Sequence, residues 1–256
     1  MVILEHSVIC LDIGNSTSHL GVYEMGQLID ERRIPSSKLV NSPKEILDEY
    51  NLSKLPLSYC SVFPEAEKSL INYSNKKNVT VFNLNYKTVV DLPITYPKPS
   101  QIGQDRLANS FAAFYSSDLP SLVIDVGTAT TFDVVTKTGG YEGGVIAPGP
   151  QGYLDFLNQN TALLPKVNIR EHIPRSLIGK DTKQAMLIGA KLGHAAMQEG
   201  LIAHLSKEIE LQSLKKPKLI LTGGGSTQTN IKNIEYRPDL TIFGLALAFQ
   251  FNEINL

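Results

Sequence analysis

Apolar and polar residues alternate in short blocks along this chain, and the spacing of the blocks predicts a regular order of strands and helices. In the first part, the predicted strands are residues 7–13, 19–24, 27–34, 57–63 and 80–84, with a helix at 65–75. Ser42 followed by Glu45 has the form of a capping box and predicts a further helix start. A hairpin followed by alternating helix and strand is typical of an α/β unit.

The second part of the chain begins near residue 120 and follows the same scheme. Its predicted strands are 122–124, 132–136 and 219–221, and its predicted helices are 152–163, 182–211 and 241–251. Asp181 or Thr182 is expected to cap the long helix. Between the first two of these strands lies a short turn of small and hydroxylated residues.

That strand and turn occur twice in the sequence. A shift of 113 positions carries Asp12 to Asp125, Gly14 to Gly127 and Gly26 to Gly139. Matching strand, turn, strand and closing glycine predicts a duplicated fold. We therefore expect two halves, 1–118 and 119–256, that face each other across a cleft, so that Asp12 and Asp125 reach the same triphosphate.

The residues of the turns suggest a grip on phosphate. Gly127 allows close approach of a ligand to the backbone, and neighbouring N–H groups and hydroxyls can donate to phosphate oxygens. Asp125 could hold a cation. A lone turn of this kind is more often structural, and the second copy is what favours function.

The later glycine run 223–225 could accommodate a base or ribose, and Gly143 and Gly144 allow a close approach of chain or ligand.

A proline-rich segment, 91–106, is predicted to be extended and to lead into a helix that starts at 104–106. Asp105 there could simply complement the helix dipole, with Arg106 as a solvated neighbour. The same pair also suits a substrate pocket, because Asp105 could receive a hydroxyl proton and Arg106 could pair with a carboxylate.

Composition narrows the class of protein. The chain has 256 residues, 42% hydrophobic and 19% charged, with a net charge of −1, so nothing in it favours nucleic acid or an anionic membrane as a partner. Its first residues are too short an apolar run for a signal peptide or a spanning helix. Cys10 and Cys60 lie in apolar runs without metal-site spacing and are expected to be buried, reduced thiols.

Small residues form one face of the predicted long helix. Ala185, Gly189 and Gly193 recur at steps of four. Such a face permits close helix packing. It would serve either internal packing against the sheet or a subunit interface.

Taken together, the motifs resemble those of the type III pantothenate kinases, members of the actin/hexokinase/Hsp70-like ATPase superfamily. The motifs that carry the resemblance are Asp12-Ile13-Gly14-Asn15, Tyr96-x-x-Pro99-x-x-x-Gly103-x-Asp105-Arg106, Asp125-x-Gly127-Thr128-Ala129-Thr130-Thr131, Glu142-Gly143-Gly144-x-Ile146-x-Pro148-Gly149 and Thr222-Gly223-Gly224. The Gly-x-Asp-Arg element narrows the resemblance to this family. It implies duplicated ribonuclease-H-like halves, each a mixed five-stranded sheet flanked by helices.

The resemblance also implies an activity and a set of site residues. The expected reaction is ATP-dependent phosphorylation of pantothenate to 4'-phosphopantothenate, the first step of coenzyme A biosynthesis, with Asp105 as proton acceptor. The expected pantothenate-binding residues are Tyr96, Gly103, Gln104, Asp105, Arg106 and Thr182. The expected ATP-binding residues are Asp12, Ile13, Gly14, Asn15, Ser16, Thr17, Ser18, His19, Thr128, Gly223 and Gly224.

Cations, assembly and location follow from the same resemblance. Asp125 would hold a monovalent cation, K⁺ or NH₄⁺, and Asp12 would hold Mg²⁺. The protein would be a cytoplasmic homodimer. At position 19 the family usually has Lys, and His19 would be a weaker, pH-dependent phosphate contact. Ser16 replaces the usual Thr and keeps the hydroxyl.

Two other functions are compatible with these residues. One is a non-catalytic, nucleotide-binding accessory or regulatory relative, which His19 alone would favour and an intact Asp105 opposes. The other is a kinase of the same superfamily that phosphorylates a sugar or another small molecule.

Overall fold

A computed structural model describes residues 4–50, 55–173, 175–225 and 231–254. Its strands form two five-stranded sheets. Contact clustering divides the chain into two compact units. The first unit takes in the described residues up to Leu119, Val135–Gly143 and those from Asp239 onward, and the second takes in Pro120–Val134 and Gly144–Pro238. The division into halves at residue 118 stays a prediction.

The first sheet is mixed. Its strands are β1 (Val8–Ile13), β2 (Thr17–Glu24), β3 (Gln27–Pro35), β4 (Leu57–Ser61) and β5 (Val81–Asn83), in the order β3-β2-β1-β4-β5. β2 pairs antiparallel with β1 and β3, whereas β4 pairs parallel with β1 and β5. The predicted strand at 57–63 is shorter than expected, because Phe63 already caps the helix that begins at Pro64.

Helices cover both faces of the first sheet. They are α1 (Ser36–Asn41), α2 (Pro43–Leu47), α3 (Pro64–Lys77), a short 3₁₀ helix (Pro99–Gln101), α4 (Gln104–Ser116) and the C-terminal α7 (Leu240–Ile254). Alternate residues of β1 point to opposite faces. Ile9, Leu11 and Ile13 pack in a core with residues of α1 and α3, whereas Val8 and Cys10 pack in a core with residues of α4 and α7.

The predicted capping box at Ser42 is wrong in its chemistry, although α2 does begin at the next residue. Ser42 makes no side-chain capping hydrogen bond and has a ψ of 58°. Its backbone N–H closes the preceding helix α1 by donating to the Lys38 carbonyl. Because Ser42 ends one helix and starts the next, its backbone is not in the extended conformation that a capping hydroxyl needs.

The second sheet repeats the order of the first. Its strands are β6 (Ser121–Val126), β7 (Ala129–Thr136), β8 (Gly140–Pro148), β9 (Lys218–Thr222) and β10 (Ile234–Tyr236), in the order β10-β9-β6-β7-β8. The two remaining helices are α5 (Pro150–Asn160) and α6 (Thr182–Ser213). The side chain of Asp181 accepts a hydrogen bond from the Gln184 N–H and is therefore the cap of α6.

The duplication predicted from the sequence is confirmed. A shift of 113 positions takes the bounds of β1 to those of β6 and the bounds of β3 to those of β8. β1 and β6 also share one burial pattern, in which only the penultimate aspartate is partly exposed. The strands β8 and β10 and the helix α1 were not predicted, because glycines, short length or polar residues weaken their apolar pattern.

The small-residue face of α6 is not packed internally. Ala185, Gly189 and Gly193 are exposed, and a Cβ built on either glycine would meet nothing within 4 Å. The buried residues of this part of the helix include Met186, Leu187 and Ala190, which pack with Leu154 of α5. Internal packing against the sheet is thus wrong for this face.

Candidate active site

The first turn, between β1 and β2, presents exposed polar groups above a buried strand. Residues 15–17 are exposed, and Asp12 is partly buried beneath them. Ser36, the first residue of α1, supports the turn: its N–H donates to the Ser16 carbonyl at 3.1 Å and its hydroxyl donates to the Gly14 carbonyl at 2.6 Å. The Ser18 hydroxyl is 2.8 Å from that of Ser36 and is buried.

Asp12 lies beside a buried thiol. Asp12 and Cys60 are partners in the parallel pairing of β1 with β4, so their side chains share one face of the sheet. The Cys60 thiol donates to Asp12 Oδ1 at 3.4 Å. Burial raises the pKa of Cys60 well above its usual range, and the nearby charges of Asp12 and Asp105 raise it further. The charges of both carboxylates therefore act on this one thiol.

Asp105 sits in the first turn of α4 with its carboxylate folded back on the helix end. Its Oδ1 accepts the Arg106 N–H at 2.8 Å, and a Cβ at Gly103 would come within 2.6 Å of the same oxygen. This explains the glycine two positions before the aspartate. Burial raises the pKa of Asp105, and the Arg106 N–H and charge only partly oppose that shift. The Asp105 carboxylate therefore combines a fixed orientation with a raised pKa.

An aromatic pair supports Arg106. The Arg106 guanidinium lies 5.7 Å from the centre of the Tyr141 ring, and Tyr96 packs edge-on against Tyr141 at 6.0 Å. Gly143 gives Tyr96 room, since a Cβ there would be 3.2 Å from that ring. Tyr141 is fully buried. No local sequence pattern links Tyr141 to Arg106, because the two residues are 35 positions apart.

The side chain of Gln104 is engaged with the sheet. Its Oε1 accepts hydrogen bonds from the Ser61 N–H at 2.8 Å and from Asn83 Nδ2 at 3.1 Å. Its Nε2 donates to Asn83 Oδ1 at 3.3 Å. The residue next to Asp105 is thereby attached to the ends of β4 and β5.

His19 is buried opposite Asp12 in the β1–β2 ladder. Its Nε2 is 2.7 Å from Glu31 Oε1. Burial lowers the pKa of His19, assisted by the charge of Arg33 and opposed by Glu31 and Asp239. Its imidazole is therefore engaged within the first unit.

The second turn, between β6 and β7, is one residue shorter than the first and is also exposed at Gly127 and Thr128. Gly149 supports it by donating its N–H to the Thr128 carbonyl at 3.0 Å. Gly223 has a φ of +92°, and a Cβ there would come within 2.4 Å of Asp125 Oδ1. Glycine is required because the backbone passes directly against the Asp125 carboxylate.

The remaining predicted residues of the second unit lie near the ends of α6 and β9. Thr182 is the exposed first residue of α6, and Gly224 is exposed at the end of β9. Ser226, which follows the glycine run 223–225, lies outside the described residues. A buried pair was missed: the Thr130 hydroxyl lies 2.8 Å from His194 Nε2 of α6. No local pattern links two residues so far apart in sequence.

The first unit thus contains Asp12, Asp105 and Cys60, and the second unit contains Asp125, Thr128 and Gly223. Within the described residues, no group of three or more His, Cys, Asp or Glu side chains could hold a metal ion. None of the described helices is long and apolar enough to cross a membrane.

The two sheets and their strand order define the class of fold, that of the actin- and hexokinase-like proteins. Solved structures agree: MreB5 of Spiroplasma citri bound to ADP has a TM-score of 0.55 at 13% identity, covering 98% of this chain and 99% of that one. A conserved Baf family protein from Campylobacter jejuni has a TM-score of 0.60 at 21% identity, covering 97% and 100%.

Sequence comparison identifies the particular family. The family model described as type III pantothenate kinase matches residues 8–204. A type III pantothenate kinase from Methylacidiphilum infernorum is 35% identical over 94% of this chain and 87% of its own length. Another from Akkermansia muciniphila is 37% identical over 75% of this chain and 77% of its own length. The chain belongs to the type III pantothenate kinase family.

Proposed function

We propose that this chain transfers the γ-phosphoryl group of ATP to the terminal hydroxyl of pantothenate, giving 4'-phosphopantothenate and ADP, the first step of coenzyme A biosynthesis. Family membership over residues 8–204 supports the reaction. The observation that carries the mechanism is the position of Asp105 at the start of α4, where the neighbouring Gln104 is bonded to Ser61, the residue after the thiol that contacts Asp12.

Asp105 is the proton acceptor in this proposal. The pantothenate oxygen attacks the γ-phosphorus, the bond from that phosphorus to the β-bridging oxygen breaks, and the hydroxyl proton passes to Asp105. Its raised pKa makes the carboxylate a better proton acceptor than an ordinary aspartate. The rest of the rate enhancement comes from positioning the two substrates and neutralising the phosphate charge.

Arg106 is assigned to the pantothenate carboxylate, because a guanidinium pairs well with a planar anion. Tyr141 supports it from below, and Tyr96 packs against Tyr141. The other residues assigned to pantothenate are Gly103, Thr182 and, through its backbone, Gln104, whose side-chain amide is bonded to Ser61 and Asn83.

The two turns are assigned to ATP. Exposed N–H groups and hydroxyls suit phosphate oxygens, and Gly223 and Gly224 are assigned to the nucleoside. The residues assigned to the phosphates are Asp12, Ile13, Gly14, Asn15, Ser16, Thr17, Ser18, His19 and Thr128. His19 would contribute less than a free imidazole, since Glu31 already engages its ring.

Metal ions are assigned by the chemistry of the donors. Mg²⁺ usually binds through one or two carboxylates together with substrate phosphates, and the single carboxylate of Asp12 fits that pattern. Asp125 is assigned to K⁺ or NH₄⁺. When bound, these ions neutralise the developing phosphate charge.

A homodimer is also proposed, in the cytoplasm. The exposed small-residue face of α6 carries Gly189 and Gly193 beside the exposed Leu192, a combination that suits a second copy of the chain. Light scattering of the purified protein is expected to give a dimer mass, and a stable monomer at working concentration would contradict this assignment.

A coupled kinase assay tests the reaction. Purified protein with ATP and Mg²⁺ is expected to phosphorylate pantothenate faster in K⁺ or NH₄⁺ than in Na⁺, and to ignore common sugars. Turnover of a sugar instead would favour a different small-molecule kinase. ATP binding without turnover of any substrate would favour the non-catalytic relative.

A further inference from the structure

The side chain of Gln104 occupies a position in the first sheet that a strand would otherwise fill. Leu57 of β4 donates its N–H to the Thr80 carbonyl on the β5 side. In a parallel ladder, alternate residues direct their N–H groups to the same neighbour, so Ser61 faces that side as well. β5 ends at Asn83, and the Ser61 N–H donates to Gln104 Oε1 at 2.8 Å instead.

Asn83 holds the same amide from its other side. Gln104 Oε1 accepts from Asn83 Nδ2, and Gln104 Nε2 donates to Asn83 Oδ1. Asn83 is itself held, because its Oδ1 accepts from Asn85 Nδ2 at 2.9 Å and its carbonyl accepts the Thr88 hydroxyl at 2.8 Å. The Gln104 amide is therefore engaged by both its oxygen and its nitrogen.

The end of β4 thus connects the two carboxylates of the first unit. Cys60 contacts Asp12 through its thiol, and the next residue, Ser61, holds Gln104 through its backbone. Gln104 immediately precedes Asp105 in α4. The path from one carboxylate to the other runs through two side-chain hydrogen bonds and two peptide units, all within one unit.

We propose that Gln104 is a positioning residue: its amide ties the start of α4 to the ends of β4 and β5 and so sets the place of Asp105 relative to Asp12. This inference rests on the proposed function for its kinetic consequence. In this proposal the Gln104 side chain holds the start of α4 in place, and other groups contact pantothenate.

The direct test replaces the amide with an apolar side chain of similar length, Gln104→Met. A positioning role predicts that kcat falls about 10-fold to 100-fold, because a small displacement of a reacting group is costly. The KM for pantothenate is expected to stay within about 3-fold, since substrate binding loses no partner. Gln101→Met makes the same chemical change at an exposed residue of the 3₁₀ helix and is the matched control, expected to resemble wild type.

Asn83→Ala provides a second variant that leaves Gln104 and the Ser61 hydrogen bond in place. It is expected to lower kcat in the same way but less, and the double variant with Gln104→Met is expected to lose less than the product of the two single effects. A rise in KM for pantothenate with unchanged kcat in Gln104→Met would overturn the proposal and make the side chain a substrate contact.

Hydrogen exchange separates this inference from the proposed function. The Ser61 amide is expected to exchange faster in Gln104→Met than in wild type or Gln101→Met, whether or not the protein has kinase activity. Unchanged Ser61 exchange would refute the hydrogen bond even if pantothenate is phosphorylated. Faster exchange with wild-type kcat would refute the kinetic role. Absence of pantothenate turnover in wild type would instead refute the proposed function.

Discussion

The two turns of this protein share the same strand length, burial and backbone support, but different residues surround their aspartates. β1 and β6 have the same length and burial, and each places an aspartate one residue before its end. The residue after the third strand, Ser36 or Gly149, supports each turn through its backbone N–H, and these two residues are related by the same shift of 113 positions. The backbone support of the turn has therefore been kept in both copies.

The neighbours of the two aspartates are different. Asp12 lies opposite Cys60, whose thiol contacts it, and the charge of Asp105 also raises the pKa of that thiol. Asp125 lies opposite Thr222, and the backbone of Gly223 passes against its carboxylate. The first unit thus places a thiol beside its aspartate, whereas the second places a threonine and the backbone of a glycine beside its own.

The largest expected effect tests the proton acceptor, which only the first unit has. Asp105→Asn is expected to reduce turnover about 10²-fold to 10⁴-fold, the usual size of a general-base contribution. The amide oxygen can still accept the Arg106 N–H, so the fold is retained. Steady-state kinetics with pantothenate measures the loss, and near-normal turnover would remove Asp105 from its role.

The same variant is expected to be more stable than wild type at neutral pH. Burial raises the pKa of Asp105 in the folded state, so folding favours its protonated form. The stabilising effect of that proton is present below the pKa of the unfolded chain and is lost as the pH rises through the folded pKa. Thermal melts of Asp105→Asn and of the exposed control Glu24→Gln check this, and a lower Tm for Asp105→Asn would contradict it.

An intermediate effect is expected from Gly223→Ala in the second unit. A Cβ there would lie 2.5 Å from the Val126 carbonyl oxygen and close to Asp125, and the φ of +92° is strained for alanine. We expect a loss of stability of about 1–3 kcal/mol and weaker activation by K⁺. Gly200→Ala, on an open position of α6, is the control and is expected to stabilise the helix by about 1 kcal/mol. Equal stability of the two variants in denaturant titrations would show that the backbone contact is unimportant.

The smallest expected effect comes from exchanging the neighbours of the two aspartates. Cys60→Thr introduces the residue that the second unit has at this position and keeps a donor for Asp12, whereas Cys60→Val has the same shape without a donor. The Mg²⁺ concentration for half-maximal activity is expected to rise about 2-fold to 10-fold in the valine variant, the value of one hydrogen bond. It should change less in the threonine variant. Identical behaviour of the two would mean that the thiol does not act on Asp12.

Local patterns predicted most of the strands and helices, because alternation and helical spacing are read over a few residues. The aspartates of both turns and the Gly-x-Asp-Arg element were found in this way. Local patterns did not predict β8 with its three glycines, the short β10 or the polar α1. The capping box failed because Ser42 also serves the preceding helix.

The missed site residues share one cause, which is separation along the chain. Tyr141 supports Arg106 from a strand 35 positions away, and His194 meets Thr130 from a helix 64 positions away. Gln104 was assigned to the substrate from its motif, yet its amide partners are in β4 and β5. Such contacts depend on which strands pair in the folded protein, and a short segment of sequence does not determine that pairing.

The amino-acid sequence alone determined the duplicated α/β order, the two aspartate turns and the family, because these depend on composition and spacing within short segments. Tertiary structure decided which carboxylates share a face, that Cys60 contacts Asp12, that Gln104 is bound to the sheet and that the small-residue face of α6 is open. The reason is physical: strand pairing and helix packing join segments that are distant in the chain, and burial of the joined groups then sets their hydrogen bonds and pKa values.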